Sequence, residues 1–189
     1  MTVSIIGQGN MGQAIAKNFK AAGQEVNFIG RDADQPTFGD IVVFAVPYGA
    51  EKSLAKQYQS ALAGKVVVDI SNPLNFDTWD ELVVPSDSSA AAQLQAELPQ
   101  SIVLKAFNTT FAATLNSGKV GTTQTTVMVA GDNDEAKKQL TEALKGSPLA
   151  VVDAGKLKRA RELEAMGFLQ MTLAANKQIG WDGGFGLNK

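Results

Sequence analysis

The chain reads as an α/β protein, a Rossmann-like, doubly wound and mostly parallel sheet with a C-terminal helical appendage, and three observations lead there. A short β-branched segment, Val3–Ile6, runs directly into the spacing Gly7-Gln-Gly-Asn-Met-Gly12. Met11, Ala14, Ile15, Phe19 and Ala22 then fall on one helical face, and Gly23 stops the helix. Beyond it, continuous apolar runs alternate with helical segments, as strands covered on both faces require.

The elements follow in order. Each glycine of the first turn has a physical reason: Gly7 for the tight turn off the strand, Gly9 for close approach of a pyrophosphate, Gly12 for close packing of helix on sheet. The free N–H groups and positive end of that helix face the phosphates. Glu25–Ile29 is the second strand, followed by Gly30, Arg31 and Asp32. The connection from Gly30 to Asp40 is close to the minimum for a parallel crossover, so no helix is expected in it. Ile41–Val46 is a buried strand, Gly49–Leu62 a helix, and Lys65–Ile70 the next strand. Ser71–Asp87 is a long loop, either shaping a site at the strand ends or packing on itself. Ser88–Leu98 reads as a helix with Asp87 or Ser88 as N-cap, and Ile102–Phe107 as a fifth strand. A short helix from about Thr110, a strand over Thr125–Ala130, a helix over Asp134–Leu144 and a short strand over Leu149–Asp153 complete the sheet domain, residues 1–155. The appendage, residues 156–189, holds a last helix over about Lys156–Ile179. Its second half is apolar nearly all round, through Met166, Phe168, Leu169, Met171 and Leu173, and so must be buried by its own domain or a second copy.

Composition narrows the function. The 189 residues are 44% hydrophobic and 19% charged with net charge −2, ordinary for a globular domain and without the basic field that nucleic acid or anionic lipid needs. No cysteine and no histidine occur, which removes thiolate chemistry, the usual metal ligands and the usual general base near neutrality. No metal site is expected. With no apolar run of membrane-spanning length and no signal-peptide pattern, a cytoplasmic protein is expected. At the tip of the second strand, a carboxylate would select NAD(H). Gly30 stands there instead, with a guanidinium next to it, so NADP(H) is favoured. The alternative leaves Arg31 solvated and gives the ribose contact to Asp32.

Taken together, these segments resemble the deazaflavin-dependent NADP reductase family, and also the nucleotide-binding domain of the transmembrane ferric reductases. The resemblance rests on Gly7-Gln-Gly-Asn-Met-Gly12, Gly30-Arg31, Phe44-Ala-Val-Pro47, Lys105-Ala-Phe-Asn-Thr-Thr110, Ala130-Gly-Asp-Asn-Asp-Glu-Ala-Lys-Lys138 and Val152-Asp-Ala-Gly155. It implies hydride transfer between NADP(H) and a flavin-type or F-420-like deazaflavin acceptor. It implies a cofactor site made of Gly7, Gln8, Gly9, Asn10, Met11, Gly12, Gly30, Arg31, Ala45, Val46, Pro47, Asn72, Pro73, Asn108 and Thr109, with Tyr48 and Leu74 on the substrate side. The glycine run is also similar to that of pyrroline-carboxylate reductases, which leaves an imine or carbonyl reductase, or a non-catalytic NADP(H)-binding regulator, as alternatives.

Hydride transfer to a flavin-like ring suits a chain without histidine, because positioning supplies much of the rate and no catalytic side chain is required. An imine or carbonyl substrate would need a proton donor, for which Tyr48 and Lys105 are the candidates near strand ends. Lys105 lies within a strand, where an amine snorkelling out of the core is the competing account. Asn108 either bonds the nicotinamide amide or N-caps the next helix. The apolar C-terminal helix points to a homodimer built on it, and the partner of the site is a small-molecule acceptor.

Overall fold

The computed structural model describes residues 1–30, 33 and 35–188. Arg31 and Asp32, on which the cofactor preference turns, lie outside the described residues. Five parallel strands form the first part of a seven-stranded sheet: β1 (Thr2–Ile6), β2 (Glu25–Ile29), β3 (Ile41–Phe44), β4 (Val66–Asp69) and β5 (Ile102–Lys105). A small hairpin, β6 (Lys119–Val120) with β7 (Thr123–Gln124), stands apart from them. Then β8 (Thr126–Gly131) joins β5 antiparallel, and β9 (Ala150–Gly155) pairs parallel with β8. The order across the sheet is β2-β1-β3-β4-β5-β8-β9. The chain leaves β1 for one side and returns on the other at β3, so a crevice opens beyond the carboxyl ends of β1 and β3, where open α/β sheets take ligands.

The central strand β3 is apolar on both faces because both are covered. Ile41 and Val43 enter one core with Val3, Ile5, Ile15, Phe19 and Leu140. Val42 and Phe44 enter the other with Ile6, Tyr58, Leu62, Val67 and Leu98, as the two-residue period of a strand dictates. The first face carries α1 (Asn10–Ala21), α4 (Ala112–Ser117) and α5 (Asp134–Leu144); the second carries α2 (Tyr48–Tyr58), α3 (Ala90–Glu97) and α6 (Ala160–Ala175). The described residues between β2 and β3 contain no helix, and Phe38 anchors that connection edge-on to Tyr58 at 5.3 Å.

Several boundaries differ from the sequence reading for local reasons. The N-cap of α3 is Ser89, whose side chain accepts from the Ala92 N–H, and neither Asp87 nor Ser88 caps it. β5 stops at Lys105, two residues early, because Phe107 turns left-handed at φ 63°. The last helix is preceded by a single 3-10 turn, Leu157–Arg159, and ends at Ala175. The loop after β4 does pack on itself: Asn75 donates to Glu81, Val83 to Pro73, and Leu74 bridges Leu82.

The last helix is the main correction. Its buried face is Leu163, Glu164, Gly167, Gln170 and Ala174, while Met166, Phe168, Met171 and Leu173 are only half-buried and Leu169 is 53% exposed. The residues turned inward are small or polar because they meet polar partners, described below.

Gly12 shows how tightly α1 is set. A Cβ there would meet the Gly7 carbonyl oxygen, which is backbone and cannot step aside. Gly12→Ala is expected to cost about 1–3 kcal/mol of stability, measured by urea denaturation. An unchanged midpoint would mean that the helix does not approach the turn this closely.

Candidate active site

The turn after β1 is built by backbone. Gly7 has φ +107°, and a Cβ on it would strike the carbonyl of Ala45 at the end of β3. The Ala45 N–H in turn donates to the Ile6 carbonyl at 2.8 Å, locking the two strand ends together. Gly9 is the N-cap of α1 with no side-chain cap, so the first N–H groups of the helix lack side-chain partners. A Cβ at Gly9 would meet nothing within 4 Å and would project into open space. No acidic residue sits in the first turn of α1 to oppose an anion. These features fit a dinucleotide pyrophosphate.

Two clefts flank this turn and meet at Pro47. One, of about 700 Å³, is lined by Gly7, Gln8, Gly9, Gly30, Ala45, Val46 and Pro47, together with Leu54 and Gln57 of α2. The other, of about 460 Å³, is lined by Asn10, Met11, Pro47, Tyr48, Asn72 and Asn108, and its walls add Ile70, Phe76, Phe111, Met171 and Trp181. The structure therefore gathers most of the residues singled out from the sequence along one sheet edge. Gly12 lies beneath them in the packing of α1. Pro73, Leu74 and Thr109 are buried and do not line either cleft, since the loop folds Leu74 onto Leu82 and the chain after Phe107 turns Thr110 outward instead. Phe111 and Met171 were missed. Phe76 belongs to the long loop, one reading of which is that it shapes a site, and Trp181 to the tail, residues 180–187, which the resemblance sets near the nicotinamide side.

The wall between the second cleft and α6 is an interlock of two asparagines. Asn108 Nδ2 donates to Asn72 Oδ1 at 2.8 Å and to the Leu163 carbonyl at 2.8 Å, and Asn72 Nδ2 donates to the Asn108 carbonyl at 2.9 Å. Asn108 caps no helix: α4 begins after Phe111, whose N–H donates to Thr114 Oγ1. Gly167 of α6 lies against this pair, and a Cβ there would collide with Asn72 Oδ1 and the Asn108 carbonyl. The tail follows α6 back, with the Phe185 N–H donating to the buried Gln170 and Trp181 packing on Phe111 at 5.0 Å.

Beneath the site lies a charged cluster. Lys105 does not snorkel; its side chain is fully buried. Its ammonium donates to Asp69 Oδ2 at 2.9 Å, to the Ser71 carbonyl at 2.6 Å, and pairs with Glu164 Oε1 at 2.9 Å. Three donors thus meet three acceptors. Asp69 and Lys105 are directly opposed at the ends of β4 and β5, and Glu164 reaches in from α6 to accept from the Ala90 and Ala91 N–H groups at the start of α3. Burial alone would lower the lysine, but the Asp69 and Glu164 carboxylates outweigh it and hold the ammonium charged. Burial raises Glu164, with Lys105 working against the shift. Lys105 is committed to these partners and is not a donor in the cleft. Tyr48 OH donates to Gln93 Oε1 at 2.6 Å, and burial raises its pKa, so it stays a phenol near neutrality.

Among characterised relatives, the F420-dependent NADP reductase of Methanocaldococcus jannaschii is 32% identical over 152 residues, covering 78% of this chain and 68% of that protein. The chain belongs to the F420-dependent NADP reductase family. Membership makes it an NADP-dependent oxidoreductase. Metalloreductase STEAP3 of Rattus norvegicus is 34% identical over 143 residues, but the chain spans only 27% of that protein. A solved structure from Arthrobacter sp. FB24, provisionally described as an F420-dependent NADP reductase, superposes with a TM-score of 0.85 over 99% of both chains at 23% identity, and shows the same fold. No protein-family model matches the chain. Among the described residues no helix is long and apolar enough to cross a membrane, and no group of His, Cys, Asp or Glu could hold a metal.

Two outcomes test this geometry. Gly9→Val should leave the fold intact, because its side chain meets no protein atom, yet abolish NADPH binding measured by calorimetry; retained affinity would place the dinucleotide elsewhere. Lys105→Met leaves Asp69 and Glu164 buried without their counter-charge and should cost about 3–5 kcal/mol in denaturant unfolding.

Proposed function

We propose that this chain transfers a hydride between NADP(H) and a deazaflavin or flavin-type ring bound in the second cleft. The observation that carries the reading is the pair of contiguous clefts meeting at Pro47. One is floored by uncapped helix N–H groups, and the other is walled by Met11, Ile70, Phe76, Phe111, Met171 and Trp181. Flat apolar walls suit a planar ring stacked on a nicotinamide, with reacting carbons about 3–3.5 Å apart. The name of the M. jannaschii relative supplies the deazaflavin as the first acceptor to try.

The roles then divide. Gly7, Gln8, Gly9, Asn10 and Met11 bind the pyrophosphate on a turn that Gly12 lets pack closely, Gly30 and Arg31 bind the adenosine end, and Ala45, Val46 and Pro47 the link to the nicotinamide. Asn72 and Asn108 hold the wall of the acceptor cleft, and Tyr48 borders it. When bound, NADPH supplies the hydride; the chain's own residues orient the two rings and exclude water.

The test is direct. NADPH oxidation should be rapid with coenzyme F420 as acceptor and slower with riboflavin; no oxidation with either would reject the reading. NADPH should bind more tightly than NADH. Arg31→Ala should remove that preference, a loss of about 1.5–3 kcal/mol or roughly tenfold or more in affinity.

We also propose a cytoplasmic homodimer. A cysteine-free chain suits a reducing compartment. The C-terminal segment supports the dimer: Leu169 on α6 and Trp181, Phe185 and Leu187 in the tail are each more than a third exposed, apolar surface that a second copy would cover. Leu169→Glu should give a species near 19.9 kDa in sedimentation, from a parent of twice that mass. A monomeric parent would refute the dimer.

A further inference from the structure

We propose that Glu51, acting through Ser71, is the internal proton source of the acceptor cleft, and that it is recharged from solvent through the groove between α2 and α3. The inference rests on the hydride-transfer reading above. An acceptor ring that gains a hydride on carbon must also gain a proton on nitrogen, and the cleft offers no histidine and no free carboxyl or amine to give it.

Glu51 sits on α2 with 3% of its surface exposed, between two spaces. On one side is the groove of about 450 Å³ that Glu51 lines with Lys52, Gln93 and Glu97, and whose mouth the Lys52–Glu97 ion pair spans at 3.1 Å. On the other side is Ser71, which lines the acceptor cleft. Glu51 Oε1 and Ser71 Oγ are both buried and both lack a hydrogen-bond partner. Asp69 and Ser71 both lie close enough to bear on the ionisation of Glu51, Asp69 raising its pKa and Ser71 lowering it. Buried polar atoms are nearly always paired. Here the two unpaired atoms belong to residues that line different cavities, Glu51 the α2–α3 groove and Ser71 the acceptor cleft.

The charges around Glu51 favour a stored proton. Tyr48 and Lys52 accompany it on α2; Asp69 faces it from β4, Lys105 from β5 and Glu164 from α6. Lys105 is fully committed to Asp69, Glu164 and the Ser71 carbonyl. Glu51 is therefore the surplus carboxyl of the cluster. Burial first, then the Asp69 charge, pushes its pKa up to about 10 against the pull of Lys105. It carries its proton throughout the neutral range.

The transfer balances. Turned about its Cα–Cβ bond into the cleft, the Ser71 hydroxyl gives its proton to the acceptor nitrogen as the hydride arrives on carbon, the Glu51 carboxyl O–H reprotonates Ser71 Oγ, and the resulting carboxylate takes a proton from water in the α2–α3 groove. Glu51 touches no reacting atom. It is a positioning residue for protons, and Ser71 is the contact.

The test combines a readout without substrates and one with them. In ligand-free protein at neutral pH, the infrared carbonyl band of a protonated carboxylic acid should be present, lost in Glu51→Gln and kept in Ser71→Ala. The folded pKa lies above the unfolded one, so the stability that Glu51 contributes is present at low pH and lost as pH rises toward the folded value. The melting temperature of Glu51→Gln relative to wild type should accordingly climb between about pH 5 and about pH 9. With NADPH and 5-deazariboflavin as the probe acceptor, Glu51→Gln and Ser71→Ala should each slow turnover roughly a hundredfold. Both should also abolish the fall in rate that wild type shows as pH approaches the Glu51 value. An active wild type whose Glu51→Gln variant keeps its rate and pH profile overturns the relay alone, as does absence of the acid band. A wild type that oxidises no NADPH with any ring acceptor rejects the hydride reading, and the relay loses its purpose with it.

Discussion

The ammonium of Lys105 is the point on which the site is hung. It stands at the carboxyl end of β5, fully buried, and each of its three donors goes to a different segment: Asp69 on β4, the Ser71 carbonyl at the start of the long loop, and Glu164 on α6. An unpaired charge at this depth would be untenable, and the arrangement is stable only while all three partners are in place. That all-or-none character gives a buried ionic cluster its directing power: apolar packing would accept α6 in several registers, but this lysine accepts one. Glu164 extends the constraint by accepting the first two N–H groups of α3, so a helix start and a helix middle are fixed by the same carboxylate.

From that anchor the acceptor wall follows. Immediately after Lys105 the chain reaches Phe107, a bulky residue in left-handed conformation, held by the Thr110 hydroxyl on its carbonyl and by the edge of Phe19. Residues with that backbone persist only where their surroundings over-determine them. Here the turn ends β5 and aims Asn108 sideways at Asn72, and the asparagine pair is the surface on which Gly167 rests. Any side chain at Gly167 would lift α6 off the pair and, with it, Met171 from the cleft. Charge cluster, strained turn, amide interlock and helix are one connected path from sheet to cavity.

The sequence disclosed the parts of this molecule whose causes are local. The first turn is legible because strand, glycines and helix are contiguous, and the glycine requirements at positions 7 and 12 are met by atoms of the same turn and the adjacent strand end. Strand burial was legible because covered strands must be apolar on both faces. What stayed hidden depends on distant partners. Nothing near Lys105 announces Glu164, so the lysine read as a snorkelling side chain. The end of β5 was overrun because a phenylalanine gives no warning of positive φ. The last helix was read by its apolar content, whereas its buried face is chosen by what it meets, a lysine and two asparagines, leaving the large apolar residues turned outward.

The two halves of the site are accordingly made of different material. The dinucleotide side is backbone: glycine turns, uncapped amides and strand ends, whose geometry is nearly indifferent to the side chains around them. The acceptor side is side chains drawn from a loop, the residues after β5, α6 and the tail, each held by a long-range contact. A cleft of the second kind is shaped to its ring by substitutions at Phe76, Met171 or Trp181 without disturbing the first. Its walls are also largely apolar, and that sets its chemical need. Walls that bring two rings together exclude the water that would otherwise deliver a proton, so a proton must be kept within reach inside the protein. The cluster that fixes α6 contains one more carboxyl than its lysine can neutralise, and that surplus lies near Ser71 in the cleft lining. The same burial that makes the ionic anchor costly to break makes Glu51 a proton carrier, so architecture and chemistry draw on a single electrostatic arrangement.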